Sequence, residues 1–237
     1  PYLATALLLA LLIRRLTQSW VPACLASGLL LLNPHMLEVS LGGLESFWFA
    51  ALVLAALVAG AHGRLVPAFA LAGLATLTRP EGVLYAVALG GVVPWRRPRV
   101  MFRCGLIYAM VLLLWGIPAT VYYGSPIPHS LVAKSQPLYP LAAWTALREI
   151  VMLLRSWLVG AWPPSLSWLQ SGLALLLLVS AGVGFWAGLR RDQRPPVLPL
   201  LPFCICVASY SLSNPLISPW LSPTLFVPLL LLPALRL

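Results

Sequence analysis

Apolar residues run along this chain in long unbroken blocks, and the polar ones collect in the gaps between them. Nine blocks can be delimited: 2–13, 17–32, 46–61, 65–78, 82–95, 104–121, 168–189, 197–213 and 220–235. Residues 173–179, reading LALLLLV, are typical. There is no alternation of period two, so the blocks predict helices and not the strands of a barrel. A straight crossing of a bilayer takes about 20 residues, with about 17 at the low end. Several blocks are shorter, so they borrow flanking residues or form broken helices.

Composition decides what solvent these helices face. Of 237 residues 61% are hydrophobic and only 8% are charged, against about 25% charged in a soluble domain. Too few charges remain to coat a wet surface, and part of the solvent must be lipid. In lipid every backbone polar group is satisfied internally, which a helix achieves alone. The expectation is an all-α, polytopic transmembrane bundle of about nine spans, forming one domain over 1–237.

Charge then gives the spans a direction. A formal charge of +10 would suit nucleic acid in a soluble chain. Here it reads as topology, with no nucleic-acid partner. Alternating the nine blocks puts Arg14, Arg15, Arg64, Arg96, Arg97, Arg99, Arg103, Arg190, Arg191, Arg194 and Arg236 on one face, with Asp192 the only acid beside them. The other face receives Arg79, Lys134, Arg148 and Arg155, balanced by Glu38, Glu45, Glu81 and Glu149. By the positive-inside rule the Arg-rich face is cytoplasmic. The outer links are 33–45, 79–81, 122–167 and 214–219. Within 122–167, residues 141–159 show apolar positions at helical spacing, with Trp144, Trp157 and Trp162 recurring. This predicts an amphipathic helix in the outer interface. The alternative is a tenth span, which would put Arg190, Arg191 and Arg194 outside.

Four outer stretches carry the polar groups. In Leu77-Thr78-Arg79-Pro80-Glu81-Gly82 an Arg and a Glu interrupt apolar sequence at a helix end. Pro80 fits the first turn of the next helix, and the dipole favours Glu81 there. The fork of Arg79 suits a phosphate or carboxylate; the plainer reading is an Arg79–Glu pair that fixes a tight helical hairpin. In the second stretch, Tyr122-Tyr123-Gly124-Ser125-Pro126-Ile127-Pro128-His129 leads to Lys134, the only lysine of the chain. Lys134 suits a phosphate oxygen or snorkels at the interface. In the third, Glu45 and Ser46 follow Gly42-Gly43 where the chain re-enters the membrane. Glu45 can serve as a general base or cation ligand, or the two residues cap a helix; Glu38 reads as solvated. The fourth, 213–223, has no ionisable group, and Trp220 reads as an interface anchor or the wall of an apolar groove. His62 and Arg64 share a cytoplasmic turn. The cysteines, Cys24, Cys104, Cys204 and Cys206, fit neither a zinc site nor a disulfide framework and read as small buried hydrophobes. No nucleotide-phosphate glycine loop or serine-hydrolase motif occurs.

Taken in order, Gly43-Leu44-Glu45-Ser46, Leu77-Thr78-Arg79-Pro80-Glu81-Gly82 and the Tyr123–Lys134 stretch resemble the GT-C glycosyltransferases, polytopic enzymes that use polyprenyl-phosphate sugars. Bacterial members similar to terminal arabinofuranosyltransferases carry a TRP-acid-G hairpin, then a Y-G-x-x-x-P-N-x-x-x-A-K loop; His129 stands where that Asn usually stands. Pro219-Trp220-Leu221-Ser222-Pro223 is a looser match, and the likeness covers roughly residues 30–230. It implies a multi-pass protein of the bacterial inner membrane with its active face extracytoplasmic. It further implies transfer of a hexosyl or pentosyl group from polyprenyl phosphate to a glycan, lipid or protein acceptor. Arg79 and Lys134, with His129 and Tyr123, would hold the donor phosphate, and Glu45 or Glu81 would orient the acceptor or a divalent cation. No nucleotide is implied. The family's catalytic Asp follows the first span, whereas the one Asp here is Asp192. The chain also opens on Pro1-Tyr2 with no Met or signal peptide. The expectation is therefore a fragment lacking its true N-terminus, inactive alone. The rival readings are a transporter or lipid flippase, and a structural membrane subunit with no site.

Overall fold

The computed structural model describes residues 1–42, 45–92 and 98–126, with 145, 148–150, 152, 205 and 230 as isolated positions. Among the described residues there are seven helices and no strand: α1 Tyr2–Thr17, α2 Trp20–Leu31, α3 Pro34–Leu41, α4 Ser46–Ala61, α5 Leu65–Thr78, α6 Gly82–Val92 and α7 Pro98–Tyr123. The first six apolar blocks correspond to α1, α2, α4, α5, α6 and α7. The later three blocks and the interfacial helix lie outside the described residues except for those isolated positions, each of which is helical.

Helix ends follow local chemistry. α1 contains neither Gly nor Pro and runs through Arg14 and Arg15, which belong to its last turn and not to a link. It stops at Gln18, which is left-handed at φ 58°, and Ser19 then caps α2 by accepting from Val21 N–H at 3.3 Å. The expected outer link 33–45 contains a helix of its own. Asn33 Oδ1 accepts from Met36 N–H at 3.1 Å and Pro34 takes the first helical position, a strong start signal. α2 and α3 meet at a bend of 61°. α7 starts six residues before the expected block, so Arg99 and Arg103 sit in its first turns.

Helices α1 and α2 form an antiparallel pair. Ser27 Oγ donates to Ala6 O at 3.0 Å, and the Tyr2 hydroxyl donates to Leu30 O. α4 lies beside α1 in the same direction: Thr5 Oγ1 donates to Phe47 O at 3.3 Å, and Arg15 Nε donates to Ala61 O at 3.3 Å. α5 returns along α4 after the turn at Gly63, whose φ of 72° suits a glycine. α5 also packs on α6 and α7. Its buried positions are small, Ala68, Ala72, Gly73 and Ala75 among them, which lets neighbouring backbones approach closely. A Cβ on Gly73 would stand 3.0 Å from Val111. The core is a single cluster that includes Leu9, Leu12, Ile13, Leu30, Met36, Phe47 and Leu54.

Outward faces are apolar as well. Leu3, Leu7, Val21, Leu25 and Leu29 are exposed on α1 and α2, and Leu106, Met110, Leu113, Leu114 and Ile117 on α7. Large exposed apolar surface marks contact with lipid or another protein. Among the described residues α7 is one helix long and apolar enough to cross a membrane, with a second if the bent pair α2–α3 is one span. α4, α5 and α6 are apolar but shorter. Cys104 is buried, but Cys24 is exposed, contrary to its reading as a buried hydrophobe. α2 turns Ala23, Ala26, Ser27 and Leu30 inward, and Cys24 shares the outward side with Val21 and Leu25.

Candidate functional site

The charged hairpin between α5 and α6 forms the centre of the candidate site. Thr78 ends α5 with its hydroxyl on Ala75 O at 2.7 Å. Arg79 is extended, at φ −149° and ψ 136°, and its N–H reaches the same carbonyl at 2.9 Å. Three successive tight-turn bonds then wind the chain into α6: Gly82 N–H to Arg79 O, Val83 N–H to Pro80 O and Leu84 N–H to Glu81 O, at 3.0, 3.2 and 3.1 Å. Pro80 heads this tight turn and α6 itself begins at Gly82, where the apolar block of the sequence begins. Gly82 is required for space. A Cβ there would lie 2.7 Å from Ala75 C and Thr76 Cα, and closer still to Thr76 N.

This turn holds the Arg79 guanidinium from several sides. Nη2 donates to Glu81 Oε1 at 3.0 Å, Nε meets Oε2 at 3.5 Å, and Nη1 donates to Ser46 Oγ at 3.4 Å. Its Cζ lies 5.8 Å from the centre of the Phe49 ring, which meets Tyr85 edge-on at 6.1 Å. The Arg79 residue is only 8% exposed, and the Glu81 side chain 14%. A buried pair of this kind is costly to desolvate and depends on good geometry; here the fork of Arg79 meets both carboxylate oxygens. The Arg79–Glu81 pair that fixes a helical hairpin is thus present.

The start of α4 is the second component. Glu45 takes the N-cap position but makes no side-chain cap bond, and it is exposed. Ser46, directly after it, is fully buried and reaches Arg79. The fold therefore brings together two of the stretches singled out in the sequence, 33 residues apart. Sequence reasoning assigned Ser46 to capping and missed both its bond to Arg79 and the Phe49–Tyr85 platform. A contact between residues so far apart leaves no local pattern to read.

The remaining candidates fall into two groups. Tyr123 is exposed at the end of α7 and packs edge-on against Tyr122 at 4.7 Å. His129 and Lys134 lie outside the described residues, as does Trp220. On α3, His35 Nδ1 is 3.9 Å from Glu38 Oε2. Burial pushes the His35 imidazole below its ordinary value, and the attraction of Glu38 offsets this only in part. Among the described residues no group of three His, Cys, Asp or Glu side chains could hold a metal ion, and the Glu81 carboxylate already faces a guanidinium. In comparisons with protein-family models, characterised proteins and solved structures, nothing matched this chain.

Proposed function

We propose that the chain is the membrane domain of a multi-pass glycosyltransferase of the GT-C type, acting on the outer face of the bacterial inner membrane. It takes a sugar from polyprenyl phosphate and passes it to an extracytoplasmic glycan, lipid or protein. The observation that carries this reading is the held guanidinium of Arg79, bonded to Glu81 and to Ser46, the residue that follows Glu45 at the start of α4. Donors fixed before the reaction are what a leaving phosphate needs as its charge grows. In this scheme Glu81 orients Arg79, Lys134 supplies a second cation, His129 and Tyr123 line the donor phosphate, and Glu45 meets the acceptor hydroxyl. The acceptor oxygen forms a bond to the anomeric carbon, the bond from that carbon to the phosphate oxygen breaks, and the electron pair leaves with the polyprenyl phosphate. The acceptor proton goes to a carboxylate.

The apolar outward faces of α1, α2 and α7 support the membrane placement. The common placement of Arg14, Arg15 and Arg64 at one end of the α1–α4–α5 packing, opposite Glu45, Arg79 and Glu81, supports the orientation. One observation favours a transporter instead: the 61° break between α2 and α3, since broken helices frame transport sites. The deciding experiment uses full-length protein in proteoliposomes with a polyprenyl-phosphate sugar. Lys134→Ala and Arg79→Lys should each lower turnover by about a hundredfold, and Glu45→Gln should lower it with donor binding retained. Unchanged transfer in Lys134→Ala and Arg79→Lys would remove the donor-phosphate role. Flux of substrate across the vesicle wall without transfer would favour the transporter.

A further inference from the structure

At the end of the bundle opposite Arg79, a cavity of about 410 Å³ opens between α1 and α4. Its walls are Leu11, Arg14, Arg15, Gln18, Val58 and His62. We propose that it binds the headgroup of an anionic phospholipid. The inference shares the membrane placement of the proposed function but does not depend on glycosyl transfer.

Charge is the first argument. Among the described residues neither Arg14 nor Arg15 has a carboxylate partner. Arg14 lies over the Trp20 ring at 4.0 Å, and Arg15 spends one N–H on the last carbonyl of α4, Ala61 O at 3.3 Å. The C-termini of α1 and α4 each present about half a negative charge. Two guanidiniums neutralise both and leave about one net positive charge beside an open cavity. Both side chains are exposed, and most of their N–H donors remain for a ligand.

Shape and polarity are the second argument. The cavity falls in the size range of small-molecule sites. It is polar where Arg14, Arg15, Gln18 and His62 stand, and apolar at Leu11 and Val58. Outside it, Trp20, Val21 and Leu25 are exposed on the neighbouring helix. An amphiphile with a phosphate at one end and acyl chains at the other satisfies both parts. A free phosphate satisfies only the first. Basic pockets between helices on the cytoplasmic side are suited to anionic headgroups.

The test uses the full chain in detergent and measures retention of phosphatidylglycerol against phosphatidylcholine by native mass spectrometry. The wild type should retain phosphatidylglycerol selectively. In the R14Q/R15Q variant that preference should fall roughly thirtyfold, the loss of two basic contacts. Arg64→Gln, at the same end but outside the cavity, should change it by less than about twofold. Val58→Phe keeps every charge and fills the cavity, so it should also abolish selectivity; it keeps the test valid if the double variant does not fold. No preference in the wild type, an equal loss in Arg64→Gln, or an unaltered preference in Val58→Phe would overturn the proposal. Displacement of the lipid by millimolar inorganic phosphate would make the site one for free anions and overturn it as well. Glycosyl transfer that fails in every variant, with lipid selectivity intact, would sink only the enzymatic reading.

Discussion

The two ends of this helix bundle use the same side chain in opposite ways. At the α5–α6 end, Arg79 is buried and engaged by Glu81, Ser46 and the face of Phe49. At the α1–α4 end, Arg14 and Arg15 stand exposed beside a cavity, one over Trp20 and the other on a carbonyl. The difference lies in what the nearby sequence supplies. Glu81 is two residues from Arg79, and a turn that needs Gly82 folds one onto the other. No acid lies near Arg14 and Arg15 in sequence, and the turn that follows them ends in Gln18 and Ser19. Burial beside Glu81 and Ser46 fixes the orientation of Arg79, whereas exposure with no acid nearby leaves Arg14 and Arg15 free to turn towards a ligand.

The sharpest way to break this comparison is to remove one partner at each end. Glu81→Gln leaves a buried guanidinium uncompensated and should cost about 3–5 kcal/mol. Arg14→Gln removes an exposed stacking contact and should cost less than about 1 kcal/mol. Chemical or thermal unfolding of both variants in the same detergent measures the gap, and equal losses would mean that the two ends do not differ in kind. Gly82→Ala comes next. The methyl has no rotamer with which to avoid the α5 backbone, so the cost should be about 1–3 kcal/mol, with Arg79 pulled away from Ser46. An alanine variant as stable as the parent would show that the approach of the two helices is looser than the 2.7 Å geometry requires.

A smaller effect concerns pH. Burial lowers the His35 pKa in the folded protein, so the unfolded chain takes up its proton first as the medium is acidified. The stability contributed by neutral His35 is present above the ordinary histidine value of about 6.5 and is lost as pH falls through the lowered folded value. Melting temperature followed from roughly pH 7.5 to 5 should therefore decline in the parent and flatten in His35→Gln. The same slope in both would remove His35 as the cause.

How much of this was legible in the sequence depends on distance along the chain. Six helices could be read from unbroken apolar blocks, because a helix that is apolar all round needs no partner to declare itself. Asn33-Pro34 was a start signal in plain view, but a link of 13 residues between two blocks read as a loop, and α3 went unrecognised. Arg14 and Arg15 were placed in a link because they are charged. They continue α1 because nothing breaks the helix before Gln18, and a left-handed Gln leaves no trace in composition. Arg79 and Glu81 were legible as a pair by adjacency. Ser46 was not, since its meeting with Arg79 depends on how α4 and α5 pack, and the cavity at the other end depends on α1 and α4 in the same way.

Gly82 has a consequence for how the protein is made. On the membrane placement proposed above, α5 has 14 residues, or about 21 Å of helix, against a hydrocarbon layer of about 30 Å. It is poorly suited to halt in the bilayer without α6. Clasped at Gly82, with the two charges of their turn cancelling each other, they enter as one unit that carries no net charge across at its tip. The order of synthesis then matters: α5 must wait for α6 to leave the ribosome, and a bulkier residue at position 82 would uncouple the two before any later contact could correct them.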